Sequence, residues 1–468
     1  MRTPTNQSKD QNVESSSSQA DESRGSGISR RDFLRASAAA GAGLMVSPVV
    51  WGQSAGKVDD INVALIGAGA EGQVLTEACL KIPGIRFQAV CDIWKQYNLR
   101  RSVGLLKRYK HNANAYTDYK EMLAKEGDKI DAVIVATPDF WHAEHANESM
   151  KAGKDVYCEK EMSNTLEGAR SMLQTAKATG KLLQIGHQRR SNPRYIYCYD
   201  KLVKEAGLLG QVTTINGQWN RSRAACEVRE CSKRLNIDDA TLKKYGFDNM
   251  REFLNWRMFK GLGGGPIVDL GSHQIDIYAW FLDALPTSVM ASGGKDYWQE
   301  YEWYDNVMAI FEFPNGDGQV RAFYQTLTTN SNGGYYETFM GDQGTLSISE
   351  AKGRGEIFRE PWVTADKWEG WVKKGYIRAP KAEKPAPKAK KGDVRESGKP
   401  PLYELTATLD KPYHQPHLEN FFGAMRDSKV KLNCPAKIGY ETAVMVLKVN
   451  EAIAAGKRLE FSPEDFKG

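Results

Sequence analysis

Asp269 and His273 stand four residues apart in the segment GGGPIVDLGSHQIDI, and Asp276 follows three residues later. On a helix this spacing puts both carboxylates on the face of the imidazole. Histidine ionises closest to neutrality, so it suits removal of a hydroxyl proton, and a carboxylate beside it fixes its tautomer and stabilises the imidazolium. That set is what the oxidation of a secondary alcohol requires. The same pattern equally describes a helix-start cap with a satisfied core histidine. Lys160, closing the segment DVYCEK, is a second candidate. Partly buried, it could hydrogen-bond a developing alkoxide or relay its proton; fully solvated, it is an ordinary strand-end lysine.

The elements that must position these groups begin at Ile61. INVALIG is a β-branched run too short for a helix and ended by glycine, which predicts a buried parallel strand. It enters GAGAEG, where Gly67, Gly69 and Gly72 have G-x-G-x-x-G spacing, and helical apolar spacing follows. Gly67 allows a tight turn, Gly69 lets backbone approach a pyrophosphate, and Gly72 permits close helix–strand packing. The helix N-terminus adds unpaired N–H groups for the phosphates. The next strand, RFQAVCD, ends on Asp92, twenty residues past Gly72. A carboxylate there accepts from ribose hydroxyls and repels a 2′-phosphate, which favours NAD over NADP.

Strand and helix signals then alternate. IDAVIVATP ends at Thr137 and Pro138 before a helix from about His142; DVYCEK ends at Glu159 and Lys160 before a helix from about Thr165; LLQIGHQ is a further strand. This order predicts a doubly wound parallel sheet, whose ligands gather beyond the carboxyl ends of the strands. Gly67, Asp92, Pro138, Lys160 and His187 all fall at that edge.

The stretch ATPDFWHAEHANESMKAGKDVYCEKEMS resembles the glucose–fructose oxidoreductase and inositol dehydrogenase family (Gfo/Idh/MocA). The resemblance runs from about Val58 to Gly344, and more loosely from His414 to Phe461. It implies an α/β protein in which a Rossmann domain precedes a C-terminal α/β domain with an open, mostly antiparallel sheet. It further implies chemistry on a carbinol of sugars, cyclitols or glycosides. The family's Glu-Lys-Pro motif is Glu159-Lys160-Glu161 here, and its Asp-x-x-x-His motif matches Asp269 to His273. Lys160, Asp269 and His273 thereby map onto the family's catalytic residues, with His273 as principal acid/base, Lys160 as partner and Asp269 as orienter or substrate ligand. Glu161 in place of proline removes a φ restraint and sets a carboxylate beside Lys160, which would favour its charged form and weaken it as a base. Glu161 could instead bind a substrate hydroxyl.

A chain of 468 residues exceeds one ordinary core, and its composition is that of a soluble globular protein. The net charge of +6 traces to a Lys/Pro/Ala-rich stretch at about 373–401, read as a solvated insertion, so a nucleic-acid partner is not expected. The seven cysteines show no metal-ligand spacing, and no metal is expected; Cys226 and Cys231 lie close enough for a local disulfide. Residues 1–55 read as a leader: SRRDFLRAS carries a twin-arginine pattern, followed by an Ala/Gly-rich apolar stretch. The twin-arginine export machinery is thus an expected partner, the destination is periplasmic or extracellular, and no stable membrane insertion is expected after processing.

The Rossmann domain is placed at 58–187 and the substrate and oligomerisation domain at 188–461, with a homo-oligomer expected. His187, Arg189 and Trp219 are candidate substrate contacts, although an arginine pair at a domain junction and a core tryptophan are common structural features. Trp362, Trp368 and Trp371 precede the insertion and could form a lid or a subunit contact. An exported enzyme finds little free NAD, so a cofactor bound before export and kept through turnover is expected. Three readings stay open: carbinol oxidoreductase, NAD-dependent glycoside cleavage by transient oxidation, and a non-catalytic sugar- or nucleotide-binding protein.

Overall fold

The computed structural model describes residues 60–351, 354–379 and 400–468. The leader and positions 380–399 of the Lys/Pro-rich stretch lie outside them. The first half is a six-stranded parallel sheet of β1 (Ile61–Ile66), β2 (Ile85–Cys91), β3 (Asn114–Tyr116), β4 (Ala132–Val135), β5 (Asp155–Cys158) and β6 (Leu183–Ile185), in the order β3-β2-β1-β4-β5-β6. β4 is buried at every position and β1 at all but Asn62, as expected of strands covered on both faces. Each such Val, Leu or Ile stabilises the fold by about 1.5–3 kcal/mol. The order reverses between β1 and β4, which opens a crevice at their carboxyl ends.

The second half is built on a ten-stranded sheet, among the described residues, whose centre is β7 (Val212–Asn220) beside β10 (Gly318–Leu327). These two run parallel; the remaining pairs are antiparallel, including the long hairpin of β9 (Asn306–Asn315) with β10. The helix Gly271–Leu282 lies on β7 and β10, with Tyr278 donating its hydroxyl to the carbonyl of Phe323.

The halves are interleaved. Helix Gln415–Arg426 returns to the nucleotide half, where Leu418, Phe421 and Phe422 join the core of β1, β2 and helix Ala70–Cys79. Helix Ala436–Ala455 packs on helix Leu166–Thr179. A single cut near residue 187 therefore separates the two sheets but not the helices that cover them.

The tryptophans before the insertion do not form one cluster. Trp368 is fully buried against Tyr403 and Trp371 packs on Tyr376, while Trp362 is exposed, and none of the three reaches the cavity described below. Cys226 and Cys231 are both free thiols.

Candidate active site

A cavity of about 1020 Å³ lies at the carboxyl ends of the parallel strands and is walled by both halves. Gly67, Gly69 and Asp92 line one end; Thr137, Pro138, Glu159 and Lys160 line the middle; Trp219, Asp269 and His273 close the other end.

The glycine loop has the geometry a dinucleotide requires. Gly67 has φ of +91°, and a Cβ there would sit 2.6 Å from the carbonyl of Ala136. A Cβ on Gly72 would meet the Gly67 carbonyl oxygen at 2.0 Å, so the first turn of the helix presses on the loop. Gly69 caps that helix without a side-chain hydrogen bond, leaving the first-turn N–H groups to a bound anion. Asp92 accepts from the N–H of Ala68 (2.7 Å), the N–H of Trp94 (2.7 Å) and the amide of Asn98 (3.3 Å). Burial pushes its carboxyl up, and these three donors oppose that shift. An ionised carboxylate offers about four lone-pair sites, so a ribose hydroxyl can still join. Asp92→Ala is expected to weaken NAD binding by ~10–100-fold and to relax the rejection of NADP. Titrating dinucleotide-free protein with both nucleotides checks this; an unchanged preference removes the assignment.

At the other end, Lys160 Nζ donates to the Asp269 carbonyl (2.6 Å) and to Asp269 Oδ1 (3.1 Å). Arg257 Nε also reaches Asp269 Oδ1 at 3.1 Å. Burial alone would raise the Asp269 carboxyl, but Lys160, Arg257 and Arg221 together hold it well below the usual carboxylate range. The expected pairing of Asp269 with His273 is not formed. Helix Gly265–Asp269 ends at Asp269, a second helix starts at Gly271, and the carboxylate is taken by two cations. Asp276 is likewise taken, by Arg190 (2.8 Å) and the Thr442 hydroxyl (3.1 Å). His273 instead packs against Trp219 (ring centroids 5.2 Å apart), and its Nδ1 has no partner among the described residues. Burial, then the cations Lys160 and Arg189, push the imidazole well below its ordinary pKa, so it is neutral at physiological pH.

The remaining candidates sit behind the wall. His187 is 1% exposed and off the cavity, and burial pushes it down to about 4. Arg189 is also 1% exposed; it pairs with Glu337 and Glu350, and its guanidinium lies 5.5 Å from the Trp219 ring. Glu161 follows a cis peptide bond and is fully buried, with Oε1 accepting from the N–H of Met162 (2.7 Å). It does not line the cavity, and burial pushes its carboxyl up to about 8, so it does not bring a full negative charge to Lys160 at neutrality.

That burial has a pH signature. A carboxyl raised from its unfolded value of ~4.3 contributes most stability below that value and loses it as pH rises through the folded pKa. Glu161→Gln keeps the Met162 contact and cannot ionise. It should match the parent near about pH 5 and exceed it in Tm by about pH 8.5. Parallel melting curves at both ends would refute this.

Several groups take part that periodicity does not single out, beyond placing His142 at a helix start. His142, on helix Asp139–Lys151, has ring nitrogens 2.7 Å from the carbonyls of Thr137 and Glu161, and so ties together the loops after β4 and β5. The segment after β7 crosses back to the nucleotide half. Trp94 Nε1 donates to the Leu235 carbonyl (2.6 Å), and Tyr245 donates to the Thr117 carbonyl (2.9 Å). Tyr413 and His414 come from the C-terminal side, and His414 lies 3.2 Å from Glu71 in the first turn of the glycine-loop helix.

Residues 61–187 match the family model described as "Oxidoreductase family, NAD-binding Rossmann fold", and residues 201–347 match the GFO/IDH/MocA C-terminal domain. Together these cover more than half of the chain. The protein belongs to the Gfo/Idh/MocA family. It is an NAD-binding oxidoreductase, in keeping with the cradle at Gly67, Gly69 and Asp92. Residues 27–47 match a twin-arginine translocation signal, which directs export to the periplasm or beyond, and no described helix is long and apolar enough to cross a membrane.

Among its relatives is an inositol 2-dehydrogenase of Rubrobacter xylanophilus, 24% identical over 68% of this chain and 79% of that protein. A glycosyl hydrolase family 109 protein of Shewanella baltica is 31% identical, over 33% of this chain and 38% of the relative. The fold is shared with a crystal structure of an aldose–aldose oxidoreductase from Caulobacter crescentus complexed with glycerol. That match has a TM-score of 0.62 at 16% identity and covers 86% of this chain and all of the other.

Proposed function

We propose that this family member oxidises a secondary alcohol of a sugar, cyclitol or glycoside, with His273 and Lys160 as its proton-handling groups and Asp269 as the orienter of Lys160. The observation that carries this is that Lys160 and His273 line the same cavity as Thr137, Pro138 and the glycine loop. NAD, when bound, supplies the hydride acceptor. The chain's own residues do the rest. Neutral His273 accepts the hydroxyl proton, while Lys160, aimed by its two contacts with Asp269, steadies the oxygen that is losing it. Trp219, stacked on Tyr335 (4.6 Å) and covered by Arg221 (5.3 Å), shapes that end of the cavity.

The roof formed at Trp94–Leu235 supports retention of the dinucleotide through turnover, which an enzyme outside the cytoplasm needs. Retention implies internal recycling, either between two sugars or within one glycoside. The partial likeness to glycosyl hydrolase family 109 favours the second route as the alternative. A homo-oligomer belongs to the same reading, since β8 (Ser288–Gly294) and β9 expose Met290 and Met308.

The test uses the exported, processed protein as purified. Bound dinucleotide, with a rise of the reduced-nicotinamide absorbance on adding a polyol, is the expected result. Glycoside cleavage without net reduction would favour the alternative. Protein that neither carries nor binds NAD would overturn both.

A further inference from the structure

Four cations face the substrate end of the cavity: Lys160, Arg221, Arg229 and Arg257. Asp269 is set among them and already engaged by Lys160 and Arg257, while Asp139 and Glu159 line the neighbouring wall with carboxyls that burial pushes up to about 7, short of a full charge each. Arg221 and Arg229 have no carboxylate within salt-bridge distance among the described residues. Nearby Glu227 pairs with Arg223 at 3.4 Å, and Glu230 lines the main cavity; both are exposed, as is Arg229. A neutral sugar would leave this surplus uncompensated in a partly enclosed space, where charge is poorly screened.

The cations also share a recess. Arg221, Arg229, Arg257 and Asp269 line a side chamber of about 60 Å³ as well as the main cavity, and Glu227 lines the chamber alone, so three guanidiniums face two carboxylates there. That is room for a small group such as a carboxylate. The arginines are held from behind. Arg221 lies over the Trp219 ring (5.3 Å) and Arg257 over Trp256 (4.3 Å). Arg229 is fixed through its main chain: its N–H donates to Asn255 Oδ1 (2.8 Å), and its carbonyl accepts from Asn255 Nδ2 (3.0 Å). Buried Asn255 and the Tyr301 hydroxyl, which donates to the Cys226 carbonyl (3.0 Å), complete the support. A planar carboxylate is the ligand that guanidinium forks match in two parallel hydrogen bonds.

We infer that the substrate is a sugar acid, a uronate or aldonate, whose carboxylate sits in the recess between Arg221, Arg229 and Arg257 and so places a carbinol against Lys160 and His273. The inference rests on the carbinol-oxidation reading above and names its substrate class.

Calorimetric titration of the NAD-loaded, processed enzyme separates the two. Hexuronates and aldonates are compared with the matching neutral aldoses and alditols, and with a hexose phosphate, at low and high salt. The acids should bind ~10–100-fold more tightly than their neutral counterparts, with the gap narrowing in salt. Arg221→Gln and, at a more exposed position, Arg229→Gln should each collapse that ratio towards one, with retained dinucleotide certifying the fold. Equal binding of acid and neutral sugar, a ratio indifferent to both substitutions, or tighter binding of the phosphate would each overturn the proposal. Arginine-dependent binding of the acids without any change in nicotinamide absorbance would keep the recess as a carboxylate site and count against carbinol oxidation. Turnover of neutral polyols with no preference for acids would do the reverse.

Discussion

Replacing Lys160 with methionine is expected to lower kcat by ~10²–10⁴-fold while NAD remains bound. The side chain is 12% exposed and contacts Asp269 twice, so it is aimed rather than free. Methionine keeps most of the volume but can neither donate to the substrate oxygen nor pass on its proton. The loss should fall mainly on kcat, because the missing contact matters most as charge develops. Lys160→Arg should recover little, since a planar fork cannot reproduce a compact ammonium at this point. Steady-state rates with the dinucleotide content measured on the same samples decide the matter. A variant that retains NAD and turns over within a factor of a few of the parent would remove Lys160 from the mechanism.

The largest stability effect is expected at Arg189. Its guanidinium is 1% exposed and bridges Glu337 and Glu350, which are themselves buried, and Tyr195 adds a hydrogen bond to Glu337 (2.7 Å). Burial pushes the Glu337 carboxyl up to about 7, against the pull of Arg189. Arg189→Met leaves two carboxyls facing each other without a cation, and this should cost about 3–5 kcal/mol. Arg189 also lies over Trp219 and Tyr335 (5.5 and 5.7 Å), so the aromatic wall of the cavity should loosen at the same time. Denaturant unfolding checks the loss. Adding Glu337→Gln and Glu350→Gln to Arg189→Met should restore a good part of it, because the uncompensated carboxylates carry most of the penalty. A single variant as stable as the parent would show that the three groups are not coupled.

The role of Arg189 shows what periodicity leaves undecided. Its place just after the last parallel strand made it a plausible ligand. Its direction depends on Glu337 and Glu350, about 150 residues downstream on another sheet. Asp269 and His273 are a similar case. Their spacing is local, but the partners of Asp269 come from the loop after β5 and from the segment before Gly265, and they draw the carboxylate off the histidine.

Five of the six parallel strands, all but the largely exposed three-residue edge strand β3, could be read from the sequence alone, as could the Gly67–Gly69–Gly72 turn and the position of Asp92. Each rests on forces acting within a few residues: burial of β-branched runs, the φ freedom of glycine at a tight turn, and the unpaired N–H groups of a helix start. The tertiary structure alone decided which charges pair, which candidates face the cavity, and that the chain after β7 folds back over Trp94. Those outcomes depend on groups far apart in sequence competing for the same buried counter-charge. A pattern of residue types does not encode the distances that settle that competition.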